Sequence, residues 1–173
     1  MMKKVLALAL ALCLLLAGCG SGPKGEEATF GVSVADTTAQ LKEKAAGLSV
    51  NAFEMEAEVL DVDYGTGYAY FLGDGIRMAL YGDDSDMLTS VYLSATVEET
   101  TENSFRLLQQ YSGLLMEHFV PEAELESVVD RLGTHDEIGE LVTSTVACST
   151  CEVTMMGDGA VTYFSVYPVV SAE

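Results

Sequence analysis

The sequence predicts an α+β fold: one antiparallel sheet of about six to seven strands with helices packed on one face, in the order α-β-β-β/β-α-α-β-β-β. Three segments repeat apolar residues at spacings of three and four, the mark of a helix with one buried stripe. Between and after them apolar and polar residues alternate, which gives an antiparallel sheet one buried and one wet face. Glycine-rich turns separate the alternating runs at hairpin spacing.

Ser33-Val34-Ala35-Asp36 has the form of a capping box, and Leu41, Ala45 and Leu48 follow at helical spacing, so a first helix is expected over 36–46, ended by Gly47. From Ala52 the period changes to two. Phe53, Met55, Ala57 and Val59 alternate with Glu54, Glu56 and Glu58, the pattern of a strand whose odd positions face inward. Tyr64-Gly65-Thr66-Gly67 turns the chain into a second strand over 68–72, and Asp74-Gly75 is a strong hairpin signal, because residues with positive φ match the twist of the flanking strands. Ile76, Met78 and Leu80 form the next inward set. After the polar turn Asp83-Asp84-Ser85-Asp86, the run 87–97 places Val91, Leu93, Ala95 and Val97 on one face and Ser90, Tyr92, Ser94 and Thr96 on the other.

Helical period returns with Phe105, Leu108, Ser112, Leu115, Met116 and Phe119, preceded by Thr100 and Thr101 as caps. Pro121 breaks this helix and suits the first turn of the next, whose apolar side is Leu125, Val128, Val129 and Leu132 and whose end is Gly133. Past a linker over 134–139, strands resume to Val170. Met156-Gly157-Asp158-Gly159-Ala160 echoes Leu72-Gly73-Asp74-Gly75-Ile76, a faint sign of two similar halves, although Gly-Asp-Gly is a common turn.

The first eighteen residues carry Lys3 and Lys4, an apolar stretch from Val5 to Ala17, and Gly18 before Cys19. That is the layout of a secretory signal peptide, and the stretch is shorter than the roughly 20 residues a membrane-crossing helix needs. Leu16-Ala17-Gly18-Cys19 resembles the lipobox of bacterial lipoproteins. The resemblance implies diacylglyceryl transfer to the Cys19 sulfur, cleavage before it, and frequently acylation of the new amine. The alternative is an ordinary cleavage site beside a chance cysteine. On the lipoprotein reading residues 1–18 are removed, 19–28 form a lipidated flexible tether, and 29–173 are a single domain on the extracytoplasmic face of the membrane. Two acyl chains, such as palmitate, hold such an anchor stably, since each buried methylene contributes about 0.8 kcal/mol.

Without residues 1–18 the chain carries 6 basic against 27 acidic residues, and 6 minus 27 is −21. That charge disfavours nucleic acid and anionic lipid headgroups as partners. It suits the solubility of an exported protein, and also a cationic partner or loose divalent-ion binding.

Cys148-Ser149-Thr150-Cys151 admits three readings: a redox pair, a metal half-site and a structural disulfide. The β-branched flanks Thr143, Thr145, Val146, Val153 and Thr154 favour strands over the helix N-terminus that activates redox pairs. A structural zinc site needs further ligands, and only His118 and His135 offer themselves besides Cys19. Val142, Val146 and Cys148 are even-numbered whereas Cys151, Val153 and Met155 are odd-numbered, so the buried face changes parity across Ser149 and Thr150. A two-residue hairpin does this and sets the cysteines opposite each other. A Cys148–Cys151 disulfide is expected, with paired free thiols as the alternative.

Other chemistry is weakly signalled. Asp61 to Leu72 starts like a calcium loop but lacks its central glycine and final glutamate, and Asp83, Asp84 and Asp86 are ordinary turn residues. Ser21-Gly22-Pro23-Lys24 has a serine-lysine spacing without its partner motifs, and Glu117-His118 lacks a third group. No metal site, cofactor or catalytic residue is expected, and the chain is not read as an enzyme. An enzyme without a recognisable motif and an envelope assembly or inhibitor protein are the alternatives to a binding module.

In the order of its elements and its tyrosine-ended hairpins the chain resembles small uncharacterised lipoproteins of Firmicutes, with a fold similar to TATA-binding-protein-like or beta-lactamase-inhibitor-like domains. That likeness implies a sheet with helices on one side and brings no catalytic residues. The helix-free sheet face is the candidate surface for an extracytoplasmic protein or small ligand, bearing Arg77, Tyr81, Ser90, Tyr92, Ser94, Tyr163 and Tyr167. Tyrosine suits interfaces. The same residue types also suit any exposed antiparallel sheet.

Overall fold

The computed structural model describes residues 28–63, 65–73, 75–133 and 138–169. Within them the chain forms the strands β1 (Glu58–Val62), β2 (Gly65–Gly73), β3 (Ile76–Gly82), β4 (Leu88–Thr96), β5 (Val142–Ala147), β6 (Cys151–Gly157) and β7 (Val161–Pro168). Three helices accompany them: α1 (Val34–Lys44), α2 (Glu102–Phe119) and α3 (Glu122–Leu132). All seven strands join one antiparallel sheet in the order β1-β2-β3-β4-β7-β6-β5. The predicted α+β class and element order hold.

Local chemistry explains where the helices start. The Ser33 hydroxyl accepts the Asp36 N–H at 3.0 Å and begins α1. In α2 the Thr101 hydroxyl accepts the Asn103 N–H, while Ser104 Oγ takes the Thr101 N–H at 2.7 Å, so two otherwise unpaired donors are met. Pro121 stands just before α3 rather than within its first turn, and Gly133, with φ of 80°, lets the chain leave its last turn.

The sheet covers one continuous core. Ile76, Met78 and Leu80 of β3, Val91, Leu93 and Ala95 of β4, and Phe164 and Val166 of β7 point into it, where Leu41 of α1, Leu108 and Leu115 of α2, and Val128 and Leu132 of α3 meet them. Helix α2 is buried over more of its girth than its stripe predicts: Leu107, Tyr111 and Leu114 are also buried, because the helix lies against the sheet on one side and between α1 and α3 on the others. Val129, expected on the apolar side of α3, is 43% exposed.

The strand expected from Ala52 starts only at Glu58. A single 3-10 turn occupies Ala52–Glu54, and pairing begins only at Glu58, opposite Ala69. Phe53 is buried as expected, with its ring 5.1 Å from that of Tyr70, but Met55 is 40% and Val59 64% exposed. The cause is a competing set of hydrogen bonds. Tyr111 Oη accepts the Ala52 N–H at 2.8 Å and donates to the Val50 carbonyl at 2.7 Å, and Asn51 Oδ1 accepts the Phe53 N–H. Side chains thereby take the Val50 carbonyl and the Ala52 and Phe53 N–H groups, the turn's own N–H groups take the Asn51 and Ala52 carbonyls, and the segment does not extend the ladder.

The Gly-Asp-Gly echo marks hairpins and no rotational repeat. β3 and β7, the strands that follow the two turns, both run antiparallel to β4 and therefore parallel to each other, whereas a two-fold axis normal to the sheet would reverse one of them.

Gly157 illustrates how tightly the second meander closes. A β-carbon there would lie 1.9 Å from the Glu140 carbonyl oxygen, part of the loop whose Gly139 N–H donates to Thr162 Oγ1 at 2.7 Å. Gly157→Ala should cost about 1 to 3 kcal/mol, the usual range for overpacking a close contact. Urea unfolding followed by circular dichroism measures it, and an unchanged midpoint would show that the loop yields freely.

Candidate functional site

The alternation that buries one side of each strand places its neighbours on the other. Arg77 and Tyr81 of β3, Ser90, Tyr92 and Ser94 of β4, and Tyr163 and Tyr167 of β7 all occupy the face opposite the helices, as predicted. Among the described residues no helix packs there. Register decides which of them meet. Arg77, Ser94 and Tyr163 form one row across three strands, and Tyr81 stands opposite Ser90.

Three tyrosines make a ladder across the middle. The Tyr81 and Tyr92 rings sit edge to face with centroids 5.5 Å apart, and Tyr92 and Tyr167 repeat this at 5.5 Å. The Tyr92 and Tyr167 hydroxyls are hydrogen-bonded to each other. Burial first, then the Tyr167 hydrogen bond and the neighbouring Tyr167 and Tyr81 phenols, push the Tyr92 hydroxyl far above the ordinary phenol range, and a Ser90 hydrogen bond only partly opposes this. Tyr92 is therefore a neutral hydrogen-bonding group at any physiological pH. Tyr163 is raised as well, by burial and then by the charge of Asp158.

The floor beneath the rings explains their placement. Gly67 lies directly across from Tyr81, and a β-carbon on it would come within 2.8 Å of Tyr81 Cε1, so the absent side chain lets the ring lie over β2. Ala69, Ala79 and Ser165 continue the row through Tyr92 with small side chains. At one end Arg77, the only basic residue in the seven strands, holds its guanidinium 4.2 Å above the ring of its cross-strand partner Phe71. Gly67, Phe71 and Ser165 were not among the residues picked out by composition. Counting outward from a two-residue turn at Asp74-Gly75 would pair Phe71 with Met78 and Gly67 with Gly82; the ladder shifts by one residue between Phe71 and Gly73, so the observed partners Arg77 and Tyr81 had no local signal.

A second cluster lies at the tip of the β5–β6 hairpin. The two-residue turn forms as expected: the Cys148 N–H donates to the Cys151 carbonyl at 2.8 Å, with Ser149 and Thr150 at the tip. The expected disulfide is not formed. Both cysteines are free, with Sγ atoms 3.2 Å apart. Glu124 of α3 clamps the tip by accepting the Ser149 N–H at 3.1 Å and the Ser149 hydroxyl. The Phe119 carbonyl, at the elbow between α2 and α3, takes the Thr150 hydroxyl at 3.0 Å and the Cys151 thiol at 3.6 Å.

Other chemical candidates recede into structure. Asp83 Oδ1 accepts the Ser85 and Met87 N–H groups at 2.8 and 2.9 Å, which makes it the organiser of its own turn. Asp86 completes that turn with φ of 61°. The His118 ring stacks edge to face on Phe119, and burial, then Lys44, lower its pKa. Among the described residues no three His, Cys, Asp or Glu side chains are grouped so as to hold a metal ion. No described helix is long and apolar enough to cross a membrane. Residues 1–18, Cys19, Tyr64, Asp74, His135 and Val170 lie outside the described residues.

No family model, curated protein or solved structure matches the chain.

Proposed function

We propose that the protein is a binding module, lipid-anchored through Cys19 on the extracytoplasmic face of the cell membrane, that takes a partner protein on the sheet face opposite its helices. The observation that carries the binding half is the Tyr81–Tyr92–Tyr167 ladder, flanked by the Arg77–Phe71 pair. Tyrosine and arginine supply much of the binding energy of protein interfaces, because each offers a large, stiff contact surface with a polar end. Here the rings are already ordered against one another, so little side-chain freedom remains to be lost on association. Support for the anchor is the Leu16-Ala17-Gly18-Cys19 motif behind its basic and apolar stretch.

Crosslinking on intact cells, with the captured chains identified by mass spectrometry, tests the module. A protein partner is expected, and Tyr92→Ala should reduce its capture about 30-fold or more, the loss of about 2 kcal/mol typical of a central aromatic contact. Circular dichroism confirms that the variant is folded. Unchanged capture by Tyr81→Ala and Tyr92→Ala sinks the proposed surface. The anchor is tested apart from it: a mature chain without acyl mass on Cys19 is not a lipoprotein.

A further inference from the structure

We propose that Cys148 and Cys151 form a reversible dithiol–disulfide exchange site, in which Cys148 attacks a disulfide substrate and Cys151 resolves the adduct.

The geometry distinguishes the two sulfurs. Cys148 Sγ accepts the Cys151 N–H at 3.3 Å, and within reach at 3.2 and 3.6 Å lie the Cys151 thiol and the Thr150 hydroxyl, whose single hydrogens turn to the Phe119 carbonyl or to Cys148 Sγ. An anion on Cys148 therefore meets donors. Cys151 is fully enclosed at 0% exposure, faces the Phe119 carbonyl, and has the Glu124 carboxylate nearby, all of which favour the neutral thiol. Cys148, at 9% exposure beside the exposed tip residues Ser149 and Thr150, is the less enclosed of the two and lies nearer the surface from which a disulfide would approach. The acidities agree. Burial works to raise the Cys148 thiol, but the hydrogen bonds from Thr150 and Cys151 outweigh it and bring it below the ordinary range. Burial, followed by the hydrogen bond and charge of Cys148, pushes Cys151 up to about 12. Cys148 is thus the more acidic and less enclosed of the two sulfurs, and Cys151 the protected thiol.

The hairpin also permits closure. Cys148 and Cys151 are directly opposed and share a main-chain hydrogen bond, a pairing with α-carbons about 5.5 Å apart, within the roughly 4.4 to 6.8 Å that a disulfide spans. The Cys148 thiol gives its proton to solvent, and the thiolate attacks one sulfur of an R–S–S–R substrate. That S–S bond breaks, RS⁻ leaves and is protonated, and a Cys148–S–S–R mixed disulfide remains. Cys151 then loses its proton and attacks Cys148 Sγ, releasing the second RSH. Two electrons pass from the protein to the substrate disulfide, and an excess of RSH reverses both steps.

Oxidised glutathione is a suitable probe for the reduced full chain. Arg131 is the last basic residue, so trypsin releases residues 132–173 as one peptide carrying both cysteines, free of Cys13 and Cys19. In the wild-type protein this peptide should lose two hydrogens without retaining glutathione. Cys151→Ser should instead hold one glutathione on Cys148, and Cys151→Ala should do the same, which separates the chemistry from a folding defect peculiar to serine. Cys148→Ser should form the adduct on Cys151 at least tenfold more slowly. Wild-type thiols that survive the treatment, or equal adduct rates in the two single-serine variants, overturn the proposal.

Discussion

Tyr111→Phe should lower the stability of the fold by about 2 to 4 kcal/mol while leaving the shape of the core unchanged. The substitution keeps the ring, which is completely buried, and removes only the hydroxyl. That oxygen serves two main-chain groups at once, the Ala52 N–H and the Val50 carbonyl, and each loses its partner. A buried polar group left unpaired costs about 1 to 3 kcal/mol, and the two sites add. Because apolar burial is conserved, the urea dependence should keep its slope and shift its midpoint downward by about 1 M or more. A midpoint within experimental error of the parent would mean that water reaches residues 50–52 and replaces the hydroxyl. Tyr111→Ala should cost more, since it also opens a cavity beneath α1 and α2.

The same tyrosine marks the boundary of what the sequence discloses. The alternation over residues 53–59 is a sound local signal for a strand, and Phe53 does turn inward. What diverts the segment is a hydroxyl 59 residues further along the chain, on a fully buried position of α2. Helical spacing alone marked Leu108, Ser112 and Leu115 but not Tyr111, because a polar-tipped ring reads as a boundary residue until both of its main-chain partners are known. Tertiary hydrogen bonding overrode a correct local preference there.

The face that carries the proposed binding site was more legible. Parity along β3, β4 and β7 suffices to place Arg77, Tyr81, Tyr92, Tyr163 and Tyr167 on the face opposite the core, because side chains alternate along a strand. The turn at Asp74-Gly75 marks the β2–β3 hairpin, although an irregularity between Phe71 and Gly73 shifts its register by one residue. Neither feature discloses that β4 lies beside β7. No hairpin joins those strands, so the contact between Tyr92 and Tyr167 had no local signal. For Cys148 and Cys151 the change of parity across Ser149 and Thr150 was sufficient to oppose them. Their unequal chemistry depends on Phe119 and Glu124, which helices α2 and α3 bring from elsewhere in the chain.

That unsignalled seam is where the largest loss is expected. Phe164 sits fully buried on β7, opposite Leu93 of β4 on one side and Met155 of β6 on the other. It therefore ties the four-strand meander β1–β4 to the three-strand meander β5–β7 at the β4–β7 seam, where among the described residues the two meanders pair. Phe164→Ala should cost about 3 to 5 kcal/mol from lost transfer energy and the cavity left behind, a large share of the roughly 5 to 15 kcal/mol that holds a domain together. Tyr163→Ala, one residue away but on the opposite face, removes a comparable ring and should cost clearly less, because its position is only half-buried. The shape of the transition carries a separate consequence. If one core spans the seam, as the shared contacts of Leu93, Phe164 and Val153 imply, thermal unfolding of Phe164→Ala should remain a single transition at lower temperature. Two resolved transitions would mean that the meanders hold separate cores and that β4 and β7 merely abut.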